Sequence, residues 1–150
     1  MTTSFVFVDT NVILYAFDPR EPDKQSRSRD WLRACWLRRC GRISSQVVNE
    51  FYANARGRFS RFVSPEDARV EVRRYQQWKP WSVDFATIET AWAVESRFQV
   101  SYWDALMVAA AQHMGCSLLL TEDLQHGQRF EQLRVINPFL AGPEILDFPE

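Results

Sequence analysis

The chain reaches its first carboxylate without a loop. Phe5-Val6-Phe7-Val8, an apolar and β-favouring run, stops at Asp9-Thr10-Asn11, and helix-compatible Val12 to Phe17 follows directly. A strand that feeds straight into a helix belongs to a βα unit, in which the next strand must return parallel. Ser117-Leu118-Leu119-Leu120-Thr121 repeats the pattern, ending at Glu122-Asp123, and Arg134-Val135-Ile136 before Asn137-Pro138 reads as a last strand. Continuous apolar runs of this kind suit strands buried on both faces.

The stretches between carry helical signals. Trp31, Leu32, Cys35 and Trp36 recur at helical spacing between about Asp23 and Arg39, with Gly41 as the stop and Arg42-Ile43-Ser44 as a brief strand. Ser45 opens a helix whose inner face includes Val47, Val48 and Phe51. Ser64-Pro65-Glu66-Asp67 sets a cap residue, a proline and an acid at the start of a helix running to Tyr75. Trp81-Ser82-Val83 is a short strand candidate, Phe85 to Phe98 is a helix, and Ser101-Tyr102-Trp103-Asp104 caps another that Gly115 ends. Alternating helices and short apolar strands predict an α/β protein with a parallel sheet covered on both faces. The 150 residues fit one domain, with 141–150 as an acidic tail.

Charge is unevenly spread. The net charge is −1, yet residues 20–79 hold fifteen of the eighteen basic residues against seven acids, and all but two of the basic residues are arginine. Arginine suits bidentate contact with phosphate or carboxylate. Such a segment serves either RNA contact or a solvated face with a protein partner. Three cysteines make no closed disulfide framework, which fits a reducing compartment, and Cys35 and Cys40 with His113 and His126 have no compact zinc spacing. The N-terminus lacks a basic leader segment, and the longest apolar run, Ala105 to Ala111, is far short of the roughly 18 residues of a membrane span. A cytoplasmic location is expected.

In an open parallel sheet, ligands bind beyond the carboxyl ends of the strands. Asp9 and Asp123 both follow strands, so they converge if those strands are neighbours. Asp104 lies in the first turn of the helix that leads into the second strand, and Glu50 borders the buried face of its own helix. Each has a plainer reading: Asp104 as a capping-box acid, Asp9 and Asp123 as turn or cap residues, Glu50 as the partner of Arg56 or another arginine. Gathered together, four carboxylates repel unless their pKa values rise or a cation is present. Carboxylates without nearby His or Cys are ligands for a hard ion such as Mg²⁺ or Mn²⁺, which suits phosphodiester hydrolysis.

At these residues the sequence resembles PIN-domain ribonucleases, and specifically the VapC-type toxins of toxin-antitoxin pairs. The resemblance rests on the strand ending in Asp9-Thr10-Asn11, Ser45-Gln46-Val47-Val48-Asn49-Glu50-Phe51, Tyr102-Trp103-Asp104-Ala105-Leu106, Leu119-Leu120-Thr121-Glu122-Asp123-Leu124 and Asn137-Pro138-Phe139. It spans about residues 5 to 140, so the nuclease-like unit is 1–140, and the tail lies outside it. The resemblance implies a three-layer α/β/α sandwich with a central, mostly parallel sheet. It also implies Mg²⁺- or Mn²⁺-dependent endoribonuclease activity, a homodimer, and a small antitoxin that masks the site. By position Asp9, Glu50, Asp104 and Asp123 would be the acidic quartet that holds the metal, supported by Thr10, Asn11 and Thr121. Arg27, Arg33, Arg56, Arg58 and Arg61 are candidates for gripping the RNA backbone, and Trp78 and Trp81 for stacking on its bases. An aspartate-nucleophile phosphatase is the enzymatic rival, but its usual second acid two residues after the first is here Asn11. A PIN-like module that binds RNA or protein without cutting has no need of all four acids.

Overall fold

The computed structural model describes residues 4–147. Its centre is a five-stranded sheet in the order β2-β1-β3-β5-β4. The strands are β1 (Val6–Val8), β2 (Gly41–Arg42), β3 (Leu118–Leu120), β4 (Arg129–Phe130) and β5 (Leu133–Ile136). β1 pairs in parallel with β2 and β3, and β3 with β5; β4 alone is antiparallel. Every residue of β1 and β3 is buried. Because side chains alternate across a sheet, that requires cover on both faces, the three-layer α/β/α arrangement.

The cover comes from α1 (Thr10–Tyr15), α2 (Pro22–Leu37), α3 (Ser45–Arg56), α4 (Pro65–Tyr75), α5 (Phe85–Phe98) and α6 (Tyr102–His113). Ser44, Ser64, Asp84 and Ser101 cap the last four, each accepting a backbone N–H two or three residues into its helix. In α6 all of Ala105 to Ala111 is buried, and its four small alanines let neighbouring elements approach from every side. Leu119, with no exposure, is typical of the core; its truncation to alanine costs about 2–5 kcal/mol. Cys35, Cys40 and Cys116 are buried and unbridged.

Several local expectations are corrected. Helix α2 ends at Leu37, and the chain turns at Arg39, which has φ 55°; Gly41 is a strand residue and not a helix stop. Its glycine is required by packing, since a Cβ there would lie 2.3 Å from the Trp78 ring. The strand anticipated at residues 42–44 therefore sits at Gly41–Arg42. Residues 81–83 contribute one parallel bridge, Trp81 to Ser44, and no strand. Strand β4 was not anticipated: a two-residue piece carries no periodicity, and its pairing depends on the turn in which Glu131 takes φ 59°.

The described part of the tail is docked. A 3-10 turn at Pro143–Asp147 packs Ile145 and Leu146 on the core, the Trp31 indole donates to the Ala141 carbonyl at 2.9 Å, and Arg38 pairs with Asp147.

Candidate active site

The register of β1 against β3 sets Val8 opposite Leu120, so the residues that follow the two strands emerge side by side. Asp9 occupies the position before α1 and makes no side-chain cap bond, which leaves its carboxylate free of the capping role. Its backbone N–H binds the Leu120 carbonyl at 3.1 Å, and its Oδ2 accepts the Thr121 hydroxyl at 2.7 Å. The same Thr121 oxygen accepts the Asp123 N–H at 3.1 Å, so one fully buried threonine holds both acids in place.

From the other side, α1 and α3 pack together. Thr10 donates its hydroxyl to Glu50 Oε2 at 2.9 Å, and Gln46 donates to Glu50 Oε1 at 2.9 Å. Asn11 donates to Asp123 at 3.5 Å, a weak contact, and accepts Arg58 at 3.3 Å. Asp104 comes from the first turn of α6, where its backbone N–H is the one capped by Ser101. Asp9, Glu50, Asp104 and Asp123 thus line one pocket of about 310 Å³.

A family model described as PIN domain matches residues 6–131. The chain belongs to the PIN-domain family. PIN domains are generally nucleases. A solved toxin-antitoxin complex from Klebsiella pneumoniae contains a chain of similar fold, with a TM-score of 0.62 and 16% identity, over 90% of this chain and 98% of that one. No curated protein matches the chain closely in sequence.

The electrostatics of the PIN pocket are those of unneutralised acids. Among the described residues, none of the four carboxylates is within ion-pair distance of an arginine or lysine. Burial pushes the Asp9 carboxyl up to about 7, against the Thr121 hydrogen bond that lowers it, and the Asp123 charge adds to the rise. Asp104 is raised too, first by burial, then by the charges of Asp123 and Glu50, with Ser101 opposing. The donor set is entirely oxygen, which matches a hard divalent ion. Among the described residues no three acidic, histidine or cysteine side chains form a ready-made cage. Mg²⁺ tolerates this, because it binds through one or two carboxylates and keeps several of its waters.

The plainer reading of Glu50 fails, because Thr10 and Gln46 occupy its carboxylate and Arg56 is exposed elsewhere. Of the arginines singled out in the sequence, Arg58 reaches the pocket wall, tied by Asn54 at 2.9 Å. Arg27, Arg33, Arg56 and Arg61 do not line it. Trp78 and Trp81 are not open stacking platforms. Trp78 is 6% exposed, packed on Trp36 and Tyr75, while the Trp81 indole donates to Thr87 at 2.9 Å and stacks on His113. Gln46 and Asn54 went unnoticed in the sequence. A visible signal existed, since residues four apart on a helix share a face and both stand four from Glu50.

Proposed function

We propose that the protein is a Mg²⁺- or Mn²⁺-dependent endoribonuclease, the VapC-type toxin of a type II toxin-antitoxin pair. The observation that carries this reading is the convergence of four carboxylates in one pocket with no cation of the protein paired to them. Asp9, with Asp104 or Asp123, would hold the metal, and Thr121 steadies the Asp9 carboxylate. When bound, such an ion would supply positive charge for the phosphate and favour ionisation of the attacking water. Glu50, oriented at both oxygens by Thr10 and Gln46, binds that water and accepts its proton. Attack in line on the phosphodiester leaves a 5′-phosphate and a 3′-hydroxyl.

Arg58 stands at the pocket wall, where it can hold a phosphate without reading a base. Arg27, Arg33, Arg56 and Arg61 extend the grip along the strand outside the pocket. An antitoxin partner is supported by the toxin-antitoxin complex that contains a chain of similar fold; in this reading it masks the pocket. Exposed Phe85, Trp92 and Trp103 on α5 and α6 support a homodimer. No helix of the described residues is long and apolar enough to cross a membrane, in keeping with a cytoplasmic site of action.

The test is direct. Purified protein, free of antitoxin, should cut structured RNA in Mn²⁺, stop on addition of chelator and restart when Mn²⁺ is returned in excess. Folded protein that cuts no cellular RNA with either ion would leave only the binding-module reading.

A further inference from the structure

A second pocket, of about 610 Å³, lies on the entry side of β2 and β3, at the sheet edge opposite the acids. Its size is that of a small-molecule site. Trp36, Arg39, Arg42, Gln77, Trp78 and Lys79 line it, and no carboxylate does. Among the described residues Arg39, Arg42 and Lys79 have no carboxylate within ion-pair distance. Arg42 is held in place by the Gly41 carbonyl at 2.8 Å and lies over the Phe5 ring at 4.0 Å. Arg39 and Lys79 project from left-handed backbone, at φ 55° and 49°.

The walls carry a second and independent sign. The indole nitrogens of Trp36 and Trp78 are both buried; that of Trp36 lies beside the Tyr75 hydroxyl, and that of Trp78 has no hydrogen-bond partner, though Trp78 is 6% exposed and Trp36 half-buried. A buried donor left unpaired costs about 1–3 kcal/mol, so the wall behind Trp78 is not optimised for stability alone. Tryptophan faces, amide and cations together are the parts with which proteins hold a base and its phosphate.

We propose that this pocket binds a nucleotide unit, its phosphate on Arg39, Arg42 and Lys79 and its base against Trp36. The Gln77 amide offers the base edge a donor and an acceptor. An acidic peptide would answer the cations but leave the exposed part of Trp36 uncovered. The nucleotide comes either free, as a mononucleotide, or as one residue of an RNA strand. This site is independent of the acidic pocket, and its occupancy needs no divalent ion.

The experiment uses the full chain carrying Asp9→Asn, in EDTA, so that cleavage and metal-bridged binding are both absent. The probes are 5′-AMP, a hexa-adenylate, inorganic phosphate and polyglutamate, titrated by calorimetry. 5′-AMP should bind, phosphate more weakly, and Arg39→Gln with Lys79→Gln should weaken 5′-AMP at least about tenfold. Glutamine keeps the backbone demand of both positions while removing the charge, and Arg39→Lys should retain most of the affinity. Binding of hexa-adenylate alone, with the same sensitivity, would assign the site to a strand. In the chain without the Gln substitutions, the Trp36 and Trp78 indole N–H resonances should shift on adding 5′-AMP or, if only the strand binds, hexa-adenylate. Indole resonances that stay still under both, nucleotide binding indifferent to the double substitution, or polyglutamate binding where nucleotides fail, each overturns the proposal.

Discussion

Two aspartates flank α1, and both are almost wholly hidden from solvent: Asp9 is 7% exposed and Asp18 is 3% exposed. Their chemistry is opposite. Asp18 lies just beneath the surface under its own cation, with Arg20 Nε on Oδ1 at 2.9 Å, the Arg20 terminal nitrogen on Oδ2 at 3.2 Å, and the Arg20 backbone N–H on Oδ1 at 3.0 Å. Those hydrogen bonds, the Arg20 side chain first, hold its carboxyl below the usual range. Asp9 has one hydroxyl donor and a neighbouring negative charge, and burial raises it to about 7. Concealment alone therefore says nothing about function. What separates a structural acid from a poised one is whether the fold also supplies the counter-charge.

Three measurements press on that contrast. The largest effect concerns cleavage: Asp9→Asn should lower RNA cleavage in Mn²⁺ by more than about a hundredfold, the scale of losing a main electrostatic element of a site. Asp18→Asn should stay within about threefold of the parent below its melting transition. Equal loss in both would erase the distinction.

Stability should reverse the ranking. Asp9 binds its proton more tightly folded than unfolded, so metal-free protein loses stability as pH rises from about 4 to about 7, then levels off. Asp9→Asn removes that loss and should be more stable than the parent at pH 8 by about 1–3 kcal/mol in EDTA, with the advantage vanishing near pH 4. Asp18 has the other sign: its folded pKa is depressed, so its contribution is present above about 4 and fades as pH falls through the folded value. Asp18→Asn should cost about 1 kcal/mol at pH 8. Urea unfolding of both variants across pH 4–8 decides the matter, and parallel curves would contradict it.

The finest test touches the hydroxyl that Asp9 accepts from Thr121. Thr121→Val keeps the shape, removes the donor, and should slow cleavage about tenfold while moving the rising limb of its pH profile upward. Thr121→Ser should restore the profile. A purely packing role would leave the pH dependence where it is.

How much of this was legible in the sequence follows from the range of each interaction. β1 and β3 are runs of one residue character buried on both faces, and the caps at Ser64 and Ser101 act within three residues, so local pattern reveals them. The meeting of Asp9 and Asp123 needed only the inference that their strands are neighbours. Gly41 was misread because its reason, Trp78, lies far along the chain and touches it only in the fold. Arg58 could not be told from Arg27, Arg33, Arg56 and Arg61, since what distinguishes it is Asn11 and Asn54 reaching it from two helices. Trp78 and Trp81 looked open from their proline-broken surroundings, yet tertiary packing closes over them.

The left-handed backbone at Arg39 and Lys79 has an evolutionary corollary. At such positions glycine is the residue that relieves the backbone, by about 1 kcal/mol, and it is one nucleotide change away from many arginine codons. Random drift under selection for folding alone would thus erode Arg39 in one step and Lys79 in two, by way of arginine. A lineage in which they persist is being selected for something that a stable fold does not provide.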